Sequence, residues 1–305
     1  MNKNTIPHNH VNRKQFLQKA LTLAGGAVLF SDTVTGSSSW EFKKEYTVQE
    51  IIDSILKEVP GAPFASTVDT LKSGSGNMVV TGIITTMFTT LPVIEQAIKL
   101  KANFIIAHEP TFYNHEDDKE WVKDNSIVKK KAALLEKNKI TVWRFHDYSH
   151  ALKPDAISYG VAMKTGWLRY YNPDETILKL PPQTLQQLCT HLKKSLGIAQ
   201  LRVLGNLQQK CETIALLPGA WGGKAQVSIV EEKHPDVLIV GEISEWETGE
   251  YIRDSKAFGA KTALIILGHS VSEEPGMEWV AQWMKPKFPG LKIQHISSGN
   301  PFTWV

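Results

Sequence analysis

Six side chains of this 305-residue sequence could hold metal ions together: His108, Glu109, His146, His150, His269 and Glu273. All are imidazoles or carboxylates and none is a thiolate, a donor set that suits zinc, iron, manganese, nickel or cobalt. Two such ions about 3.5–4 Å apart need about six protein donors and would activate a water between them. Any one of these histidines alone could be an ordinary core residue. Their shared position in the chain sets them apart.

Each pair follows an apolar run of strand length. Phe104 to Ala107 is such a run; it stops at His108-Glu109, and Pro110 prevents a ladder from continuing. A strand over 139–145 ends at His146, with His150 four residues on. A strand over 262–267 ends at Gly268-His269, with Glu273 four residues on. In open α/β sheets the carboxyl edge of the strands is where sites are built. Three strand ends delivering imidazole or carboxylate therefore predict one convergent metal site.

The surrounding chain alternates strands and helices. Thr47 and Glu50 make a capping box for a helix over 47–58, and residues 61–77 read as a Gly/Ser/Thr-rich loop. Asp69, inside that loop, could be functional or an ordinary turn carboxylate. A strand over 79–86 and a helix over 91–101 precede the first ligand pair. A helix over 126–138 carries Lys129, Lys130 and Lys131, read as a solvated face, and another runs over 154–167. Residues 168–183, with Pro181-Pro182, read as a linker. Beyond it come a helix over 184–196, strands over 200–204, 213–217 and 236–240, helices over 224–233, 246–258 and 275–287, and a last strand over 291–296. The expectation from this alternation is an α/β fold whose two halves share a coarse architecture. The halves are expected over 46–167 and 184–305.

The amino terminus differs from the rest. Lys3, Arg13, Lys14 and Lys19 precede an apolar run from Ala20 to Phe30 and a polar stretch to Ser39, the order of an export signal. Asn12-Arg13-Lys14-Gln15-Phe16-Leu17 resembles a twin-arginine motif with lysine in the second basic position. The run is about half of the ~20 residues a membrane span requires. Residues 1–36 are thus expected to direct the chain to the periplasm, or to anchor it outside the inner membrane if retained. Removing them removes four basic residues and Asp32, which takes the formal charge from +3 to 0. The mature chain then has no net positive charge with which to hold nucleic acid, and no expected membrane span. Cys189 falls on an apolar helix position, which favours a buried free thiol over a pair with Cys211.

Three weaker signals remain. Pro218 to Lys224 joins a strand to a helix, where backbone N–H groups can hold an anion, but a tight turn is the plainer reading. It is not a Walker A loop, because Ala225 stands where Ser or Thr would bind magnesium. Glu242, after the 236–240 strand, could be a general base, a partner to a metal ligand or an exposed loop acid. His115 and His234 sit in polar loops and read as surface residues.

From about residue 46 onwards the chain resembles the GTP cyclohydrolase I type 2 family, also called NGG-one-interacting-factor-three-like or dinuclear metal centre hexamer proteins. The tail Gly-His-Ser-Val-Ser-Glu-Glu-Pro-Gly from Gly268 is similar to the family signature Gly-His-x-x-x-Glu-x-Pro-Gly. The segments 80–110, 146–167 and 213–223 and the ending Ser-Gly-Asn-Pro-Phe fit as well. The resemblance implies two similar α/β lobes with mixed sheets flanked by helices and the metal site at the strand ends between the lobes, assembled as a homo-hexameric ring, with two divalent transition-metal ions held by a His-His pair, an Asp, and a final His and Glu. His108, His269 and Glu273 match that set. Glu109 stands where the second His is expected, and His150 where the Asp of His-Thr-Asn-Leu-Asp is expected, with His146 as that motif's first residue. The exchange looks reciprocal, so His108, Glu109, His150, His269 and Glu273 are the implied ligands. Trp246 replaces a frequent His after Gly-Glu, and the family's large inserted middle domain is absent.

The function expected is a metal-dependent hydrolase in which metal-bound hydroxide attacks a small-molecule substrate. Glu242, Glu247 or a spare histidine, with His146 the nearest candidate, would shuttle protons. Nucleoside triphosphates are scarce outside the cytoplasm, which turns the expectation away from GTP itself. The competing reading is a non-catalytic metal-binding or scaffold ring.

Overall fold

The computed structural model describes residues 44–303 and 305. The export signal expected over residues 1–36 lies outside the described residues. Helix α1 (Val48–Leu56) opens on the expected capping box: Thr47 accepts from the Glu50 backbone, and the Glu50 side chain accepts from the Thr47 backbone. Its face of Val48, Ile51, Ile52 and Ile55 is buried in the first core.

The first sheet has the order β1-β4-β3-β2-β10. Its strands are β1 (Leu71–Ser73), β2 (Ile83–Thr86), β3 (Phe104–Ala107), β4 (Thr141–Arg144) and β10 (Ile293–His295). Parallel pairing of β2, β3 and β4 requires crossovers, supplied by α2 (Leu91–Leu100) and α3 (Ser126–Lys137). All four residues of β2, β3 and β4 are buried, as expected of strands covered on both faces. Two short helices follow, α4 (Asp147–Ala151) and α5 (Ala156–Lys164).

The second sheet repeats the plan, with order β5-β7-β8-β9-β6. After β5 (Ile177–Thr184), α6 (Leu185–Leu196) and β6 (Arg202–Leu204) come β7 (Lys210–Leu217), α7 (Gly223–Lys233), β8 (Val237–Val240), α8 (Glu250–Ala257) and β9 (Ala263–Ile266). β7, β8 and β9 are parallel, while β5 and β6 pair antiparallel at the edges. The fold is the expected α/β class with two mixed sheets flanked by helices.

Helix α9 (His269–Met284) ties the two sheets together. It leaves β9 of the second sheet, yet Met277, Val280, Ala281 and Met284 are buried in the core of the first. The Thr85 hydroxyl of β2 donates to the Met277 carbonyl at 2.8 Å. α9 crosses α5 where Gly160 meets Gly276, and a Cβ on either would overlap the other helix. Among the described residues no helix is long and apolar enough to cross a membrane.

Sheet membership does not follow the boundaries drawn from sequence. β5 occupies the second half of the expected 168–183 linker, and β10 returns from the 184–305 segment to the first sheet. A three-residue strand carries no pattern that names its sheet, and the prolines of β5 are tolerated because it is an edge. β1 lies inside the expected 61–77 loop, and α9 begins at His269 rather than at residue 275. The 246–258 helix opens as a π-helical turn, Glu245–Gly249.

Candidate metal centre

β3 ends at Ala107, and the next two N–H groups still bond to the neighbouring strand: His108 N to Thr86 O at 3.1 Å, Glu109 N to Met87 O at 2.8 Å. This fixes the backbone of both residues at the carboxyl edge of the sheet. His108 is fully buried. Its Nδ1 lies 3.1 Å from the Phe145 carbonyl, which can only accept, so Nδ1 carries the proton. The Nε2 lone pair is left facing Glu273 Oε2 at 3.6 Å; Nε2 is buried with no hydrogen-bond partner, and the cation nearest the buried Oε2 is His269, whose Nε2 is 3.1 Å away. Two acceptors facing each other in the interior repel unless a cation lies between them. Donors on one ion, with bonds of about 2.1 Å at the tetrahedral angle, stand about 3.4 Å apart.

His146 and His150 sit at either end of α4. Buried Asp69 caps that helix, accepting from the backbone of His146 at 2.7 Å, Asp147 at 3.2 Å and Tyr148 at 2.8 Å. Of the two fates open to Asp69, the structural one is what its contacts describe. His146 Nδ1 is 2.9 Å from Asp147 Oδ1; burial and neighbouring His108 push its pKa down to about 4, so the ring is neutral near pH 7. His150 Nδ1 is 2.9 Å from Asp155 Oδ2. Burial opposes charge on His150, but Asp155 outweighs it and raises the pKa. The His108 ring centroid is 4.7 Å from that of His146 and 5.2 Å from that of His150.

His269 opens α9 behind Gly268, whose φ of 99° suits glycine. Its Nε2 is 3.0 Å from Glu109 Oε1 and 3.1 Å from Glu273 Oε2; its Nδ1 is 3.1 Å from Glu242 Oε2. Burial disfavours the imidazolium, but the three carboxylates outweigh it and push the pKa up to about 12. The Glu273 carboxyl, disfavoured as an anion by burial, is held well below the usual range by the protonated His269 3.1 Å away. Five of the six sequence-predicted donors therefore come together in two overlapping groups, and His269 touches the second through Glu109 and Glu273. One is His108, His146 and His150, the other His108, Glu109 and Glu273, with the ligand atoms of each within 4.8 Å of one another. Glu242 stands behind His269 as a partner to its outer nitrogen.

The Gly-rich loop is a wall of this site. Gly219, at φ +76°, lies so close to Glu273 that a Cβ would overlap its carboxylate, and its N–H donates to Ser272 Oγ at 2.9 Å. This agrees with the tight-turn reading of the loop. Glu247 packs against Gly223 of α7, and Trp246 is 80% exposed.

One participant went unrecognised in the sequence. Arg144, the last residue of β4, is fully buried. Its Nη2 is 3.2 Å from Glu109 Oε2, its Nε donates to His108 O at 3.2 Å, and its Nη1 donates to His115 O. A buried guanidinium requires a carboxylate partner, and an arginine inside an apolar strand was the available signal. His115, expected as surface, is exposed but its ring is 5.3 Å from that of His146. Lys131, expected in the solvated face of α3, is half-buried: Nζ bonds Thr111 O at 2.7 Å, and burial pushes its pKa down to about 8. Cys189 and Cys211 are buried free thiols.

Glu109, His146, His150, His269 and Glu273 line a cavity of 1580 Å³ whose apolar wall includes Phe88, Leu91, Ile127, Leu134 and Trp221; His108 is buried and does not line it. Lys130 and Lys131 also line it.

The comparisons with known proteins agree with this architecture. A family described as Duf34/NIF3 (NGG1p interacting factor 3) matches residues 46–301. A GTP cyclohydrolase 1 type 2 homolog of Clostridium acetobutylicum is 24% identical over 219 residues, 68% of this chain and 77% of that protein. A second such homolog, from Clostridium perfringens, is 22% identical over 239 residues, 74% of this chain and 87% of that one. The crystal structure of a Bacillus cereus protein related to NIF3 has a similar fold, with a TM-score of 0.67 at 18% identity, covering 86% of this chain and 100% of that one.

Proposed function

The chain belongs to the Duf34/NIF3 family, and we propose that within it this protein is a metal-dependent hydrolase of a small molecule, with two divalent transition-metal ions on the floor of the cleft. The observation that carries the reading is the buried confrontation of His108 Nε2, which has no hydrogen-bond partner, with Glu273 Oε2. An ion there would lower the pKa of a coordinated water towards neutrality and polarise a substrate carbonyl or phosphoryl oxygen.

The chain's own residues divide the remaining work. His108, His146 and His150 offer imidazole nitrogens; Glu109, His269 and Glu273 offer the second set of donors. Glu242 reaches the outer nitrogen of His269 at 3.1 Å from an exposed position, where it can hand protons to solvent. Arg144 holds one oxygen of Glu109, so that only the other faces the cleft. The apolar wall favours a substrate with an apolar body.

The test is hydrolysis of a panel of small ester, amide and phosphodiester probes by protein as purified, after chelation, and after zinc or cobalt is restored. Metal-dependent turnover that falls in Glu242→Gln supports the reading. Stoichiometric metal without turnover on any class moves the protein to the binding or scaffold role. A homo-hexameric ring and export to the periplasm belong to the same proposal; light scattering and cell fractionation test them.

A further inference from the structure

Asp147, Asp155 and the Phe145 carbonyl do the same thing to three different histidines. Each takes the Nδ1 proton of one ring: His146 to Asp147 at 2.9 Å, His150 to Asp155 at 2.9 Å, His108 to Phe145 O at 3.1 Å. A hydrogen bond at Nδ1 fixes the tautomer and aims the lone pair of Nε2, the arrangement that metal-ligating imidazoles share. The acceptors are themselves held. Asp147 Oδ2 receives the Thr67 hydroxyl at 2.8 Å and Val68 N–H at 3.1 Å. Asp155 caps α5 through Ile157 and Ser158 N–H, both at 2.8 Å.

We propose that His108, His146 and His150 together supply three imidazoles to one zinc-type ion, the ion that would also separate His108 Nε2 from Glu273 Oε2, with His146 a ligand rather than a proton shuttle. The inference rests on the reading of the cleft as a metal centre. The ligand atoms lie within 4.8 Å of one another, against about 3.4 Å around a tetrahedral ion, a gap that small ring rotations close. His108 Nε2, the most buried of the three, has no hydrogen-bond partner. The nearest carboxylate oxygen to His146 Nε2, Glu109 Oε1, stands 3.9 Å away, and its twin Oε2 is taken by Arg144. Oε1 is itself engaged by His269 Nε2 at 3.0 Å, so both oxygens of Glu109 are held outside the triad. Three neutral imidazoles favour zinc, copper, nickel or cobalt, and give little to manganese, magnesium or calcium. The site depends on His150, the position where the family pattern leads one to expect a carboxylate. Asp155 is the positioning residue for it.

The experiment uses the full chain loaded with zinc alone. X-ray absorption on protein carrying one equivalent of zinc is expected to count three imidazoles around the ion. Competition against a chromophoric chelator is expected to show zinc affinity falling about 10–100-fold in Asp155→Asn, and further in His146→Asn and His150→Gln. His269→Ala should keep the tight ion. Two or fewer imidazoles in the unmutated protein, or a tight ion lost in His269→Ala and kept in His146→Asn, overturns the assignment while leaving a metal centre. Failure to bind zinc at all removes the metal centre itself, and the two failures are distinct. Counting ligands in the unmutated protein requires no variant to fold.

Discussion

His108 Nε2 and Glu273 Oε2 face each other at 3.6 Å, both buried, and Nε2 has no hydrogen-bonding partner. The two atoms come from different sheets, one from the end of β3, the other from the helix that follows β9. A cation between them removes the repulsion and joins the two halves of the fold. Zinc should therefore stabilise the protein by mass action, by about 4 kcal/mol when free metal exceeds its dissociation constant about a thousandfold. Thermal melts with zinc and with a chelator check this; coincident melts would contradict it.

Arg144 and Glu109 are a buried ion pair at 3.2 Å. Replacing Arg144 by Met leaves the carboxylate buried without its guanidinium and should cost about 3–5 kcal/mol in urea unfolding. Adding Glu109→Gln should recover a substantial part of that loss, because the stranded charge is gone. Equal stability of the single and double variants would show that the pair is not coupled.

Much of this site was legible because each strand is short, apolar and ended by its ligand. His108, His146 and His269 could be placed at strand ends from run length alone, and the helix periodicities located most of the connections. Arg144 was not legible as a participant, since a charge within a strand does not say which carboxylate neutralises it. Asp69 looked like a turn residue because α4, the helix it caps, is five residues long and too short for a periodic signal. The return of β10 to the first sheet is decided by α9 packing across both lobes, a tertiary preference that three residues cannot encode.

Protonation of His269 sets a pH dependence. Its pKa rises from 6.5 to about 12 in the folded, metal-free chain. The folded state then binds more protons than the unfolded state across that window, so this contribution is complete below pH 6.5 and is lost as pH climbs towards 12. Lys131, lowered from 10.5 to about 8, acts in the opposite sense between those values. The comparison is therefore chelated wild type against His269→Asn, and the difference in stability between them should shrink from pH 7 to pH 10. Zinc affinity should move the other way, strengthening with pH as the imidazole proton is displaced. A difference in stability that does not change with pH would remove the three carboxylates as the cause.

Gly219 has no room for a side chain beside Glu273 and sits at φ +76°. Gly219→Ala should cost about 1–2 kcal/mol from backbone conformation and should also shift the Glu273 carboxylate. Metal affinity is expected to fall, whereas Gly222→Ala, at φ +78° with nothing within 4 Å of the added Cβ, should carry the backbone cost alone. Equal metal affinity in the two variants would argue that the wall at Gly219 does not position Glu273.

The most direct test of the metal centre is elemental analysis of protein purified from its own host fraction without added metal. The account predicts about two transition-metal ions per chain, falling to one in His269→Ala. Protein that carries no transition metal as isolated, and takes up none when zinc is supplied, would contradict it.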